Sequence, residues 1–388
     1  MSYIDKLLQG TSVEWKTLGA TCEIKTGKCI TKNDSSASAL YPIISGGKEP
    51  MGYYDKFNRI ENTVTISRVG ANAGYVCFIE RKFYLNDKCF SVLPKEKYKS
   101  KIDNKFLFYN LKAKETSITE LQSQGGVPTI NTTKVGSISI PIPPLSVQKE
   151  IVRILDKFTE LTAELTAELT ARKKQYEYYR DKLLNFNDLE INGGCKWLTM
   201  SELCKIGDGL HGTPIYNDNG EFYFINGNNL DNGRIVFNNK TKRVDEIMYN
   251  KHGIDFTIEN TVFLSINGTI GSVALYNNEK IVLGKSVAFF NIESTELYSR
   301  YLYYFLQTNY STNYFEAQKT GSTIKNLGLS ALRNYKIPIP PLEEQKRIVS
   351  ILDKFDTITT SICEGLPKEI ELRKKQYEYY RDLLLTFK

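Results

Sequence analysis

Between residues 145 and 186 apolar side chains recur mostly at spacings of three and four, as Ile151, Leu155, Phe158, Leu161, Leu165, Leu169, Tyr176, Tyr179 and Leu183. That pattern lays a stripe along one face of a helix. A helix from Leu145 to Phe186 is roughly 60 Å long at 1.5 Å per residue, and with so narrow a stripe it is not stable alone. A matching stripe near the end of the chain, Ile348, Ile351, Phe355, Ile358, Ile362, Ile370, Tyr377, Tyr380 and Leu384, offers the partner. The spacing predicts that the two helices pair as an antiparallel coiled coil. Leu155, Phe158, Tyr176 and Tyr179, with Leu352, Phe355, Tyr377 and Tyr380, are its expected seam or a subunit interface. Elsewhere the period shortens to that of strands, as in TVTISRVGANAGYVCFI from Thr63 and TVFLSINGTIGSVALY from Thr261.

The helical element is written twice. Residues 140–158 read IPIPPLSVQKEIVRILDKF and residues 337–355 read IPIPPLEEQKRIVSILDKF; RKKQYEYYRDKLL at 172–184 returns as RKKQYEYYRDLLL at 373–385. Pro143-Pro144 and Pro340-Pro341 sit where a helix starts and a missing N–H costs nothing. The spacers differ. The first contains two tetrapeptide units, Thr162-Ala163-Glu164-Leu165 and Thr166-Ala167-Glu168-Leu169, each advancing about 6 Å and overshooting one turn by roughly 40°. The second contains Gly365 and Pro367, which are expected to break or kink the helix.

The globular segments correspond more loosely. Trp15, Leu18, Cys22, Ile24 and Gly27 answer Trp197, Met200, Cys204, Ile206 and Gly209, and Asn62-Thr63-Val64 answers Asn260-Thr261-Val262. Tyr3, Asp5, Lys6, Leu7 and Leu8 echo Tyr179, Asp181, Lys182, Leu183 and Leu184, so the repeat is effectively circular. The expected fold class is α/β (α+β): two similar mixed domains separated by two long antiparallel helices, with approximate two-fold symmetry. The boundaries follow as residues 1–10 for a helical fragment, 11–139 for the first domain, 140–186 for the first long helix, 187–336 for the second domain and 337–388 for the second helix.

Composition narrows the function. A chain of 388 residues, 41% hydrophobic and 24% charged, fills two domains. It has no apolar run near the roughly 20 residues of a membrane span and no basic-then-apolar leader, so a cytoplasmic globular protein is expected. Seven cysteines at wide spacings argue against a disulfide framework or zinc site, and two histidines leave little material for His-dependent catalysis. The formal charge of +7 leans mildly toward an acidic partner.

Two similar modules related by an approximate two-fold suit duplex DNA read at two half-sites. The segments YPIISGGKEPMGYYD and LHGTPIYNDNGEFYFINGNN differ between the modules, so they are expected to read different sequences. Side chains that suit bases or phosphates beside glycine-containing loops are Lys28, Lys48, Arg68, Asn72, Lys88 and Gln124 in the first module. In the second they are His211, Thr213, Asn226, Asn228, Asn229, Asn267, Lys285 and Lys319. His211 equally suits a turn cap, and the 226–229 string equally suits hairpin chemistry.

The doubled IPIPPL-x-x-Q-K-x-I-V-x-I-L-D-K-F and RKKQYEYYRD-x-LL, the TAEL units, and the entries VEWKTLGATCEIKTGK and HGTP resemble the specificity subunit of type I restriction-modification systems over nearly the whole chain. The resemblance implies two target recognition domains, each reading half of a gapped bipartite site on double-stranded DNA. It also implies helices that bind two methylation subunits and set the spacing, the TAEL count acting as a ruler. Restriction subunits would join through the methylation complex. No cofactor is expected on this chain; S-adenosylmethionine, ATP and Mg²⁺ belong to the partners.

Catalytic motifs point the same way. The strings Ile142-Pro143-Pro144-Leu145 and Ile339-Pro340-Pro341-Leu342 lack the polar residue and aromatic of an adenine methyltransferase motif. Leu283-Gly284-Lys285-Ser286 lacks the upstream glycine of a P-loop, Glu279 standing in its place. Glu14/Lys16 and Glu23/Lys25 alternate as many strands do. A non-catalytic subunit is expected, ahead of a free-standing bipartite DNA-binding protein or an enzyme acting alone.

Overall fold

The computed structural model describes residues 3–123, 125–185, 194–360 and 365–387. Gln124, Phe186, Ile362 and Cys363 fall outside them. Contacts divide the chain into two compact units, Met1–Glu164 with Ile370–Lys388, and Leu165–Glu369. The division cuts through both helical regions. Each unit thus holds one globular module, the start of one repeat copy and the end of the other.

In the first unit a four-stranded antiparallel sheet has the order Cys22–Thr26, Cys89–Pro94, Thr63–Ser67, Val76–Ile79. Strand Thr63–Ser67 is buried at every position, and its threonine hydroxyls find carbonyls, Thr63 that of Ile60 at 2.9 Å and Thr65 that of Cys77 at 3.4 Å. A smaller sheet places Tyr41–Ile44 between Tyr53–Tyr54 and Tyr84–Leu85. The strand carrying Trp15, Glu14–Thr17, pairs antiparallel with the IPIPP strand Ser139–Ile142, Trp15 opposite Pro141.

The second unit repeats this plan. Its large sheet runs Cys204–Asp208, Val287–Ile292, Thr261–Ser265, Val273–Leu275, and its small sheet places Phe222–Ile225 between Lys242–Val244 and Ile281–Leu283. Lys196–Thr199 pairs with Lys336–Ile339, Trp197 opposite Pro338. The correspondence read from the tryptophans therefore holds for these sheets, and the second unit adds a two-stranded pair, Leu230–Asp231 with Arg234–Ile235.

The first long helix runs unbroken as Leu145–Leu183, through both TAEL units. The second copy is two helices, Leu342–Thr360 and Gly365–Leu385. Gly365 has a φ of +76°, and a Cβ there would stand 2.5 Å from the Thr357 carbonyl oxygen, so glycine is required where the second helix meets the end of the first.

Helix pairing is antiparallel in each unit. In the first, Phe158 stacks on Tyr380 with ring centroids 5.2 Å apart. Ile151 and Leu155, earlier on their helix, share a buried cluster with Leu384 and Phe387, later on theirs. In the second, Phe355 stacks on Tyr179 at 5.6 Å and contacts Tyr176 at 6.4 Å, and Ile348 and Leu352 share a cluster with Leu184. The phenylalanine of each ILDKF thus meets the same tyrosine of the other copy's QYEYY. Two of the described stripe positions are exposed: Tyr179 at 38%, although it stacks on Phe355, and Ile358 at 42%, whereas Thr359 beside it is buried, bonding its hydroxyl to the Phe355 carbonyl. Along the TAEL units Leu161, Leu165 and Leu169 are half-buried while Ala163, Glu164, Thr166, Ala167 and Glu168 are exposed.

Each module is fastened to its helix by the same polar contacts. Gln148, wholly buried, accepts the Asp103 N–H at 2.8 Å and donates to the Lys101 and Pro143 carbonyls, each at 2.7 Å. Gln345 accepts the Tyr298 N–H at 2.9 Å and donates to the Glu296 and Pro340 carbonyls at 2.7 and 2.8 Å. Further along, Asp156 accepts the Tyr109 hydroxyl at 2.6 Å and pairs with Lys105 at 3.0 Å. Asp353 accepts the Tyr304 hydroxyl at 2.6 Å and pairs with Arg300 at 2.6 Å. The helices so gripped are Asn104–Ala113 and Ser299–Phe305.

Candidate nucleic-acid interface

In the first unit the loops that follow Thr26, Ile44 and Leu85 converge where their strands end. Their anchor is Asn86, 2% exposed, whose Nδ2 donates to the Ile30 carbonyl at 2.8 Å while its Oδ1 accepts from the Lys88 N–H at 3.0 Å and the Ser45 hydroxyl at 3.3 Å. Gly27 lets the strand end pass so close that a Cβ would lie 2.0 Å from the Leu85 carbonyl oxygen. Gly209 stands in the same relation to Leu283, at 2.2 Å.

The two units hold these loops with matching backbone hydrogen bonds. Lys28 N–H donates to Leu85 as Leu210 N–H does to Leu283, at 3.0 and 2.8 Å. Arg68 donates to Lys88 as Ile266 does to Ser286, at 2.8 and 2.9 Å. Gly70 donates to Pro128 as Gly268 does to Lys325, at 2.9 and 3.1 Å, and Ile130 to Arg68 as Leu327 to Ile266, at 2.9 and 2.8 Å. The backbone frame is shared, yet the side chains mounted on it differ: lysine against leucine, arginine against isoleucine, lysine against serine.

Five of the first module's six candidates gather on this frame. Lys28, Lys48 and Lys88 are exposed, Lys48 above the Tyr75 ring at 5.8 Å. Arg68 is half-buried, donating from Nη1 to the Asp87 carbonyl at 3.1 Å and lying over the Phe90 ring at 5.8 Å. Asn72 donates from Nδ2 to the Gly46 carbonyl at 3.4 Å. The sixth, Gln124, is outside the described residues.

In the second module His211 is exposed, its Nε2 2.8 Å from Asp208 Oδ2, and Thr213 is exposed beside it. Asn226 and Asn228 point outward from a short turn, while Asn229 is buried with its amide consumed: Nδ2 donates to the Val236 carbonyl and Thr241 hydroxyl at 2.9 and 3.1 Å, and Oδ1 accepts the Asn226 N–H at 3.0 Å. The Ser286 hydroxyl accepts from Gly227 N–H at 2.9 Å and donates to Asn226 Oδ1 at 3.2 Å, tying that turn to exposed Lys285. Asn267 bridges to Asn326, and Asn326 to Thr320, which brings in Lys319; the Lys319 ammonium pairs with Glu316. Asn86 and Ser286 are loop anchors that sequence reasoning missed: Asn86 stands in no motif, and Ser286 was weighed only as part of a P-loop-like string. Gln148, Asp156 and their second-copy counterparts were also missed as anchors, although the repeat itself displays them.

Burial pushes the Cys22 thiol up to about 11 and the Cys89 thiol up to about 12. The described cysteines are free thiols. Among the described residues no group of three or more His, Cys, Asp or Glu is placed to hold a metal ion, and no helix is long and apolar enough to cross a membrane. Gly284-Lys285-Ser286 is a turn between two strands, where a P-loop needs a following helix. Glu14 with Lys16 and Glu23 with Lys25 are ion pairs at 2.8 and 2.6 Å along single strands.

Comparison with known proteins agrees with this architecture. The model of the type I restriction modification DNA specificity domain matches twice, over residues 12–172 and 193–372, each match taking one module with a long helix. The specificity subunit of the type I restriction enzyme EcoR124I/EcoR124II of Escherichia coli is 34% identical across all of this chain and 97% of its own. A Haemophilus influenzae protein provisionally named a type I restriction enzyme specificity subunit is also 34% identical, over all of this chain and 98% of its own. The crystal structure of the S subunit of a type I restriction-modification system from M. genitalium covers both chains completely with a TM-score of 0.61 at 19% identity, which is a likeness of fold. With a doubled domain match and full-length relatives at this identity, the chain belongs to the type I restriction-modification specificity subunits.

Proposed function

We propose that this non-catalytic DNA-recognition subunit reads an asymmetric, gapped, bipartite site, one half with residues 11–139 and the other with residues 187–336. The helical regions 140–186 and 337–388 set the spacing and dock two methylation subunits, through which restriction subunits join. S-adenosylmethionine, ATP and Mg²⁺ act on those partners. The observation that carries this reading is the shared backbone frame with unlike side chains: Lys28, Arg68 and Lys88 stand where the second module has Leu210, Ile266 and Ser286. One frame gives both modules the same way of meeting the double helix, and different side chains give them different bases.

The contact set proposed for the first half-site is Lys28, Lys48, Arg68, Asn72, Lys88 and Gln124. For the second it is His211, Thr213, Asn226, Asn228, Asn267, Lys285 and Lys319, with Asn229 acting through the turn it holds. The test is co-expression with a cognate methylation subunit, followed by mapping of methyladenine in the host genome. One gapped motif with two unlike halves supports the reading; a continuous or single-part motif rejects it.

A further inference from the structure

Each module meets its helix at two polar points. Gln148 and Asp156 are eight residues apart, as are Gln345 and Asp353, about 12 Å along a helix at 1.5 Å per residue. A single contact leaves a module free to swivel; two at that separation fix both its tilt and its rotation. Apolar residues fill the interval: Phe106 and Tyr109 against Val147, Ile151 and Leu155, and Tyr301, Leu302 and Phe305 in the cluster of Ile348, Val349 and Leu352.

The helix side of this clamp is identical in the two copies. The module side keeps the polar partners of the clamp: a backbone N–H and carbonyl at Asp103 and Lys101 or Tyr298 and Glu296, a tyrosine hydroxyl at Tyr109 or Tyr304, and a cation at Lys105 or Arg300. The apolar positions Leu107/Leu302 and Leu111/Leu306 recur as packing, whereas polar positions outside the clamp differ, Asn104 against Ser299 and Asn110 against Phe305. Burial alone does not demand this: a buried amide and a half-buried carboxylate add little net stability over apolar packing, while their geometry is specific.

We propose that Gln148 with Asp156, and Gln345 with Asp353, are positioning residues that fix the angle at which each recognition module is carried on the helix of its own unit, and thereby the one gap length accepted between half-sites. The inference rests on the bipartite reading above. Loosening a clamp lets its module reach half-sites one base pair nearer or farther, without altering which bases the module prefers.

The experiment uses the complex with its methylation subunit and a duplex library in which both half-sites are fixed and the gap varies. The parent's gap preference is compared with that of Asp156→Asn with Tyr109→Phe, of Asp353→Asn with Tyr304→Phe, and of the milder single variants Tyr109→Phe and Tyr304→Phe. The expected result is a loss of discrimination between the preferred gap and its neighbours of roughly tenfold per clamp, the low end of the loss expected for one charge-assisted hydrogen bond. Base preference in each half-site and cooperative unfolding are expected to persist, and Asp156→Glu to recover part of the discrimination. Unchanged gap preference in the folded single and double variants overturns the clamp while leaving the bipartite reading intact. A parent that shows no gap preference at all overturns both.

Discussion

Asn86 ties together three loops where their strands end. Asn86→Ala strands the Ile30 carbonyl and the Lys88 N–H inside the unit, and is expected to cost about 1–3 kcal/mol, measured by denaturant unfolding. Because those loops carry Lys28, Lys48 and Lys88, the same variant is expected to weaken recognition of one half-site only. Asp356 makes the opposite case. Burial, with the nearby Asp353 carboxylate, raises its pKa, against the Thr360 hydroxyl bond and the pull of Arg300 and Arg234, which lower it. A carboxyl whose folded pKa is raised contributes stability that is fully present below the unfolded value and is lost as pH rises through the folded value. Asp356→Asn, which stays neutral and keeps an oxygen for Thr360, is expected to unfold at a higher temperature than the parent at pH 7 and to flatten the decline above about pH 4, the ordinary carboxyl value. A lower melting temperature at pH 7 would contradict this.

Among the elements, the long helices were the most legible from sequence, because a stripe of period 3.6 and a doubled 19-residue string leave few alternatives. The break in the second copy was equally plain from Gly365 and Pro367. What the stripe could not show was its local rotation: Thr359, seven residues after buried Leu352, continues the buried face, while Ile358 falls one step off it and the Thr359 hydroxyl is satisfied by the carbonyl four residues earlier. In the first helix Leu165 and Leu169 are only half-buried, so the TAEL stretch is held mainly by the helix propensity of its Ala, Glu and Leu residues. Such a stretch can grow by whole units without disturbing a core. One extra TAEL unit after Leu169 is expected to lengthen the accepted gap by on the order of one base pair, about 3.4 Å, with both half-sites unchanged; an unaltered gap removes the ruler.

On the scale of the whole molecule, the duplication was readable and the interface only partly so. Glycine-flanked polar residues marked loops that the fold brings together, since glycine is where backbones pass closely, as at Gly27 and Gly209. Sequence could not tell an outward Asn228 from an inward Asn229, because both suit a turn and only the packed hairpin decides which amide is consumed. Nor could it show that Gln148 and Asp156 face the module rather than the other helix. Electrostatics supplies a prediction for the assembled surface. If Lys28, Lys48 and Lys88 neutralise phosphates, replacing all three with alanine is expected to lower the slope of log affinity against log salt by about 0.9 for each phosphate no longer neutralised. A slope equal to the parent's places those lysines off the DNA.

The division of labour between the modules is tested most directly by mapping methyladenine in cells that carry the methylation subunit with either the parent chain or the Asn226→Ala, Asn228→Ala variant. The account predicts a gapped motif in both, with one half relaxed in the variant and the other half and the gap unchanged. Relaxation of both halves together, or a motif without a gap, would contradict it.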